Sequence, residues 1–344
     1  MLSVLRKLRT SPFARDTGHL AIGQEVQMHR RFAEEKDQIF SDSPPFVSVL
    51  INNHNYASFL GEAIESVLAQ TYNNIEVIVV DDGSTDGSQE VIAGYGNRIV
   101  SVIKDKGGQA SAFNAGFAAS KGDILCFLDS DDVFLPGKVN SVVQIFSENP
   151  QAGWCFDRVQ EFDNRTRNHY PLPGSWKSGP WDVRETTAKG RAPNLPTATS
   201  GLCFRRSTLA LILPMPEVIR ITSDGYLKLA AFGLAEGFMS PGRLTLQRIH
   251  GDNAYTRRQI GRTSIMALTS VLIGVCLYEQ VPTLRRLAII MFSRGLGMCW
   301  VAGTSDDTYR VLSSTFLRKV GLVTRTEIIL KATYCSARLL FSRS

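Results

Sequence analysis

Three apolar, β-branched runs, each ending in a polar cluster, constrain this chain more than any other feature. PFVSVLINN leads into Asn52-Asn53-His54-Asn55, IEVIVV (75–80) into Asp81-Asp82, and DILCFL (123–128) into Asp129-Ser130-Asp131-Asp132. Short continuous apolar runs suit strands buried on both faces. Between them lie segments with helical spacing. Phe59, Leu60, Ala63, Ile64, Val67 and Leu68 share one face, and further helices are expected over Gln89–Ala93, Ala110–Ser120 and Leu135–Phe146. Ile99–Ile103 reads as another strand. Strand–helix alternation of this kind predicts parallel pairing through right-handed crossovers. Ligands of such sheets sit at the carboxyl ends of the strands, so the three clusters are expected on one rim.

The rest of the chain is less regular. Residues 1–43 read as a charged, helical N-terminal extension that stops at Ser-Asp-Ser-Pro-Pro, because proline disfavours helix in the residue before it. Residues 163–200, rich in Pro, Gly, Asn, Thr and Trp, read as a long loop region near the site. GLCFRRSTLALI resumes a strand-then-helix pattern, and SDGYLKLAAFG (223–233) reads as a helix with Asp224 in its first turn. From residue 258 the chain reads as a helical, basic C-terminal region, which leaves 44–257 as the catalytic domain.

Charge follows the same division. The 344-residue chain has a net charge of +6, with twelve basic and four acidic residues from Arg258 onward and a small acidic excess over 45–257. A basic tail suits an anionic surface such as membrane headgroups, nucleic acid or a lipid-pyrophosphate, and equally a solvated helical face. Thr263–Tyr278 is the nearest approach to a membrane span but falls short of the roughly 20 apolar residues required, so a buried helix is expected. MLSVLRKLRTSPF lacks the continuous apolar core of a signal peptide. The six cysteines form no CxxC pair, which points to free thiols in a reducing compartment. The expected location is cytoplasmic, with the inner membrane face as an alternative.

Candidate chemistry concentrates in the clusters. Three carboxylates among Asp129-Ser130-Asp131-Asp132 repel one another unless a cation neutralises them, and oxygen donors select Mg2+ or Mn2+. An acidic helix start is the other reading. In Asp81-Asp82-Gly83-Ser84-Thr85-Asp86, one carboxylate is suited to accept hydrogen bonds from a nucleobase or ribose, while Ser84, Thr85 and Asp86 suit a turn and helix start. Both are expected, Asp82 in function and Asp86 in structure. Lys106-Gly107-Gly108-Gln109 is a glycine turn that allows close backbone approach to a ligand, although it is not the GxGxxG fingerprint. His250, in Arg-Ile-His-Gly-Asp-Asn, reads on its own as structural more readily than as a ligand.

VSVLINNHNYASFLGEAIESVLAQTYNNIEVIVVDDGSTDGS followed by KGGQASAFNAGFAASKGDILCFLDSDD strongly resembles family 2 glycosyltransferases of the bacterial polysaccharide and cell-envelope type. The resemblance covers about residues 45–140, with weaker echoes to about 255. It implies a GT-A fold: Rossmann-like, with a mostly parallel central sheet flanked by helices, here carrying a helical C-terminal extension. It implies a nucleotide-sugar donor, usually a UDP-sugar, bound by Asn52, Asn53, His54, Asn55, Asp82, Gly108, Asp129 and Ser130. It implies Mn2+ or Mg2+ held by Asp131 through the DxD motif, with Asp132 assisting and His250 approaching the metal or diphosphate. It also implies inversion at the sugar carbon, with Asp224 as the base acting on a saccharide or lipid-linked acceptor. Ser223 stands where the family usually has glutamate, and His54 stands where it often has an aromatic. Nucleic acid is not an expected partner, peripheral membrane contact through the basic tail is, and oligomeric state is left open. A nucleotidyltransferase is the nearest alternative, disfavoured because no glycine- and base-rich triphosphate loop follows the first strand. A non-catalytic nucleotide-sugar-binding protein is the other, disfavoured by the intact DSDD and DGSTD.

Overall fold

The computed structural model describes residues 44–171, 177–195, 197–251, 253, 262–303 and 307–341. The extension expected over 1–43 lies outside the described residues. The first strands and helices follow the alternation read from sequence: β1 (Val47–Asn53), α1 (Ala57–Leu68), β2 (Ile75–Asp82), α2 (Ser88–Gly94), β3 (Val100–Lys104), α3 (Gln109–Ala119) and β4 (Ile124–Asp129). Then come β5 (Val133–Phe134), α4 (Lys138–Glu148), β6 (Ala152–Phe156), β7 (Gln160–Asp163), β8 (Gly179–Trp181), α5 (Arg184–Ala188), β9 (Leu202–Arg205) and α6 (Arg206–Leu209). Next are α7 (Ser223–Leu234), β10 (Glu236–Met239) and β11 (Thr245–Ile249), followed by four C-terminal helices: α8 (Arg262–Gln280), α9 (Arg285–Ala302), α10 (Asp307–Lys319) and α11 (Leu322–Phe341).

Eight strands form the main sheet in the order β3-β2-β1-β4-β9-β6-β10-β8. β3, β2, β1 and β4 are parallel, as are β6 and β10, whereas β9 runs antiparallel between β4 and β6 and β8 antiparallel at the edge. The sheet is therefore mixed but mostly parallel. A smaller sheet, β5-β11-β7, caps the rim beyond β4.

Alternate residues of β1 feed two cores, as a period of two requires. Val47, Val49 and Ile51 join Leu60, Ile64 and Val67 of α1 and Val142 and Phe146 of α4 on one face. Leu50 joins Phe113 of α3 and Tyr226, Leu227 and Phe232 of α7 on the other. Burying a leucine- or phenylalanine-sized side chain contributes about 1.5–3 kcal/mol, so these layers fix the strand register. Beneath the smaller sheet, fully buried Lys138 pairs with Asp157, whose other oxygen accepts from Thr245 Oγ1 at 2.9 Å. Burial opposes the lysine's charge, and the Asp157 carboxylate outweighs it, raising the lysine's pKa.

The change of composition near residue 257 does not mark a separate packing unit. Pro45–Ser344 form one compact body, and Ile273, Cys276, Leu277 and Leu284 share a core with Trp154 and Phe232. α8 is long and apolar enough to cross a membrane by length and composition, but it packs within this body. A Cβ on Gly274 would lie 2.8 Å from Phe292 N, and one on Gly295 would lie 2.7 Å from Val271 N, so these glycines set the close α8–α9 approach. All six cysteines are free, and Cys126, Cys203 and Cys155 lie side by side on β4, β9 and β6.

Candidate active site at the carboxyl rim of the sheet

Register brings the clusters together. At the ends of neighbouring strands, Asn52 lies opposite Asp129, Asn53 opposite Asp81, and Asp82 opposite Lys104. Asn52 Nδ2 donates to Asp129 Oδ1 at 2.8 Å and Asn53 Nδ2 to Asp81 Oδ1 at 2.9 Å. The rim expected from sequence is present, and parallel pairing builds it.

The Asp81–Asp86 turn is held by its own chain. Asp81 accepts from Asn53, from Ser84 N and Oγ, and from Gln89 Nε2. Asp82 Oδ1 accepts from Lys104 Nζ at 2.6 Å and Gly107 N at 2.8 Å, and its Oδ2 accepts from Gly108 N at 2.7 Å. Burial pushes Asp82 up, but the Lys104 ammonium and the two amides outweigh it and hold the carboxyl below the ordinary range. Asp82 thus clamps the glycine turn. Asn55, at φ 58°, accepts from Thr85 N at 2.7 Å and locks the β1 terminus to the same turn. Asp86 serves structure as expected, accepting from Ala57 N at the start of α1 and Ser88 N at the start of α2. His54 reaches Lys106 Nζ at 2.7 Å.

The Asp129–Asp132 cluster is built differently. Burial pushes Asp129 up to about 7, helped by the charges of Asp131 and Asp224 and opposed by the Asn52 hydrogen bond. Asp132 is also raised, first by burial and then by Asp131 and Asp129. Its Oδ2 accepts from Ser200 Oγ at 2.6 Å and its Oδ1 from Arg248 N at 2.9 Å. Asp132 therefore fastens β11 and the 199–201 turn to the end of β4. Asp131 Oδ2 faces His250 Nε2 at 3.1 Å and Asn253 Nδ2 at 3.2 Å. The His250 ring packs 4.5 Å from Phe59 and edge-on to Tyr56.

Asp224 comes in from α7. Its charge adds to those that raise Asp129. Two contacts position it. Ser223 N donates to Gln109 Oε1 at 2.9 Å, and Lys228 Nζ pairs with Asp224 Oδ2 at 2.9 Å while donating to Thr197 O at 2.8 Å. Gly108, at φ 93°, lies against the same loop: a Cβ there would sit 2.9 Å from Arg220 Cα. Only glycine fits both the backbone angle and the space.

Several residues that organise this rim are not among the sequence-derived candidates. Ser200 accepts from Asp129 N at 3.0 Å as well as donating to Asp132. Buried Arg248 donates to Asp131 O, Asn164 Oδ1 and Glu62 Oε2. Gln109 joins Ser223 to Thr199, its Nε2 lying 3.2 Å from Thr199 Oγ1. Arg248 and Asn253 flank His250 in its sequence segment, and Gln109 ends the glycine turn.

Seven buried side-chain polar atoms lack a hydrogen-bond partner among the described residues, and four are at this rim: Asn52 Oδ1, Asn53 Oδ1, His54 Nδ1 and Ser130 Oγ. Buried polar atoms are rarely left unpaired, so their clustering fits a polar ligand. For a divalent cation the donor chemistry is a carboxylate and an imidazole, Asp131 and His250. Among the described residues no three His, Cys, Asp or Glu side chains gather into a metal-sized group.

Fold and rim together define a GT-A glycosyltransferase fold. The structure of Staphylococcus aureus TarS 1–349 in complex with UDP-GlcNAc superposes with a TM-score of 0.56 at 15% identity, covering 85% of this chain and 81% of that one; at this identity the likeness is one of fold. Residues 48–210 match the model of glycosyl transferase family 2. A glycosyltransferase of Nostoc sp. is 37% identical over 217 residues, covering 60% of this chain and 66% of that protein. One of Rickettsia prowazekii is 42% identical over 113 residues, which is 35% of its length. GlyG of Streptococcus pneumoniae is 35% identical over 128 residues, which is 42% of its length. The chain thus spans just under two thirds of the first relative and well under half of the other two.

Proposed function

We propose that this protein is an inverting glycosyltransferase that moves a sugar from a nucleoside-diphosphate donor, a UDP-sugar by family resemblance, to a hydroxyl of a saccharide or lipid-linked acceptor. One observation carries the reading: Gln109 accepts from Ser223 N, beside Asp224, and donates to Thr199 Oγ1, next to the Ser200 that bonds both Asp129 and Asp132. This chain of contacts supports a donor side and a candidate base that act together.

In this reading Asn52, His54 and Ser130, with their unpaired polar atoms, take the nucleoside and sugar hydroxyls. Asn53 and Asn55 shape the pocket by holding the Asp81–Thr85 turn. Asp82 acts by fixing the Gly107–Gly108 turn, whose two amides donate to it. Asp131 and His250 would hold Mn2+ or Mg2+, with Asp132 as the framework residue beside them. When bound, the cation stabilises negative charge on the departing diphosphate. The acceptor oxygen bonds to the anomeric carbon as the bond to the diphosphate breaks. The electron pair leaves with the nucleoside diphosphate, and Asp224 takes the acceptor proton. Lys228 holds that carboxylate in an ion pair.

The test is a thermal-shift panel of UDP-, GDP- and dTDP-sugars with and without Mn2+. Cation-dependent stabilisation by one nucleotide class is expected, about 2.7 kcal/mol at a hundredfold excess over Kd. No shift with any donor overturns the donor assignment.

A further inference from the structure

α11 is apolar on two faces. One is covered: Ile328 and Ala332 are fully buried, and Ser336 Oγ donates to Gly297 O of α9. The other looks outward. Leu322, Val323, Leu330, Tyr334 and Leu340 are 76, 84, 66, 69 and 58% exposed, on a side of the helix that also carries Thr326, Thr333 and Ala337. Twenty residues at 1.5 Å each make this a stripe about 30 Å long. Singly exposed apolar residues are ordinary, but a continuous stripe of this length marks a contact surface.

Its borders indicate what the contact is. Lys331 and Arg338 lie along one edge of the stripe, where Glu327, the helix's one acidic residue, is paired with Lys331. Long basic side chains beside an apolar stripe suit a helix lying in a bilayer interface, where the stems cover hydrocarbon and the heads reach anionic lipid phosphates. Tyr334 and the 46% exposed Trp300 of the supporting helix α9 are of the type that favours that depth. The excess of eight positive charges from Arg258 onward orients this end toward an anionic surface, whereas residues 45–257 carry a small negative excess. A second copy of the chain fits less well, since pairing two such stripes would set basic borders against each other. α8, the helix long enough to span, is packed within the fold.

We propose that the outer face of α11 is a peripheral docking surface for anionic lipid bilayers, lying in the interface without crossing it. The inference does not depend on the sugar-transfer reading.

The test is flotation of the full chain with phosphatidylcholine vesicles and with vesicles containing about one third phosphatidylglycerol. Binding to the anionic vesicles alone is expected, weakening as salt is raised. The double variant Leu330→Ser/Tyr334→Ser should bind about tenfold less at unchanged melting temperature, and Arg338→Ala should bind several-fold less. Absence of flotation on either vesicle overturns the proposal. So does undiminished binding of the double variant, which would place the contact in another segment such as 1–43. A dimer that the double variant turns into a monomer, without vesicle binding, assigns the face to a second copy and also overturns it.

Discussion

Two acidic clusters end strands on either side of β1, and the protein treats them in opposite ways. At Asp81-Asp82, protein donors meet the carboxylate oxygens, and the Asp82 carboxyl is held below its ordinary range. At Asp129–Asp132, carboxylates face one another, and Asp129 and Asp132 are raised. The first cluster is complete within the chain and works as framework. The second is paired only in part, and its excess negative charge is what a cation and a diphosphate-bearing substrate would complete. Residue type alone does not separate a structural aspartate from a ligand-facing one; the donors around it do.

The largest test of this contrast is Asp131→Ala. Turnover should fall by about a hundredfold or more, consistent with loss of a group that serves developing charge. In metal-free buffer Asp131→Asn should leave the melting temperature unchanged or raised, because it removes a repelling charge. A clear loss of stability there would make Asp131 a framework residue and collapse the contrast. Asp224→Asn comes next: transfer should drop by about 10²–10⁴-fold with donor-induced stabilisation retained, as expected for removal of a general base. Loss of donor binding in that variant would place Asp224 in the framework instead.

Asp82→Asn should act on stability first. It removes the partner of Lys104 and weakens the hold on two amides, at a cost of about 2 kcal/mol or roughly 5 °C. A melting curve indistinguishable from the parent would contradict the clamp. The smallest effect is in pH dependence. A carboxyl lowered on folding contributes its stability fully above the ordinary unfolded value of about 4 and loses it as pH falls through the lower folded value. The gap between the parent and Asp82→Asn should therefore narrow below about pH 4. A gap that widened on acidification would reverse the assigned sign.

Much of this was legible in the sequence because it is local. Apolar runs announced β1, β2 and β4, and their parallel pairing sets Asn52 beside Asp129 without further information. Asp86 is legible as structural because its type and place just before α2 suit a turn and helix start, and it does accept from Ser88 N. Ser200 and Arg248 stayed hidden because their importance comes from threading. β9 enters the sheet antiparallel beside β4, carrying Ser200 to Asp129 and Asp132, and β11 lays Arg248 across the same segment. No spacing rule links these residues. The clamp role of Asp82 was hidden for a related reason, since its donors belong to the following strand and turn. The shift in charge near residue 257 suggested a boundary that the shared core does not respect.

The order of strands also bears on how such a protein can be cut and recombined. The segment shared with the family ends at residue 210, yet β6 lies between β9 and β10, and β10 is the strand beside β8. A fragment trimmed to the shared segment would leave β6 as a raw edge and β8 with nothing beside it, and it would lack the helix bearing Asp224. The segment that matches the family model and the segment that packs as one body thus have different borders here.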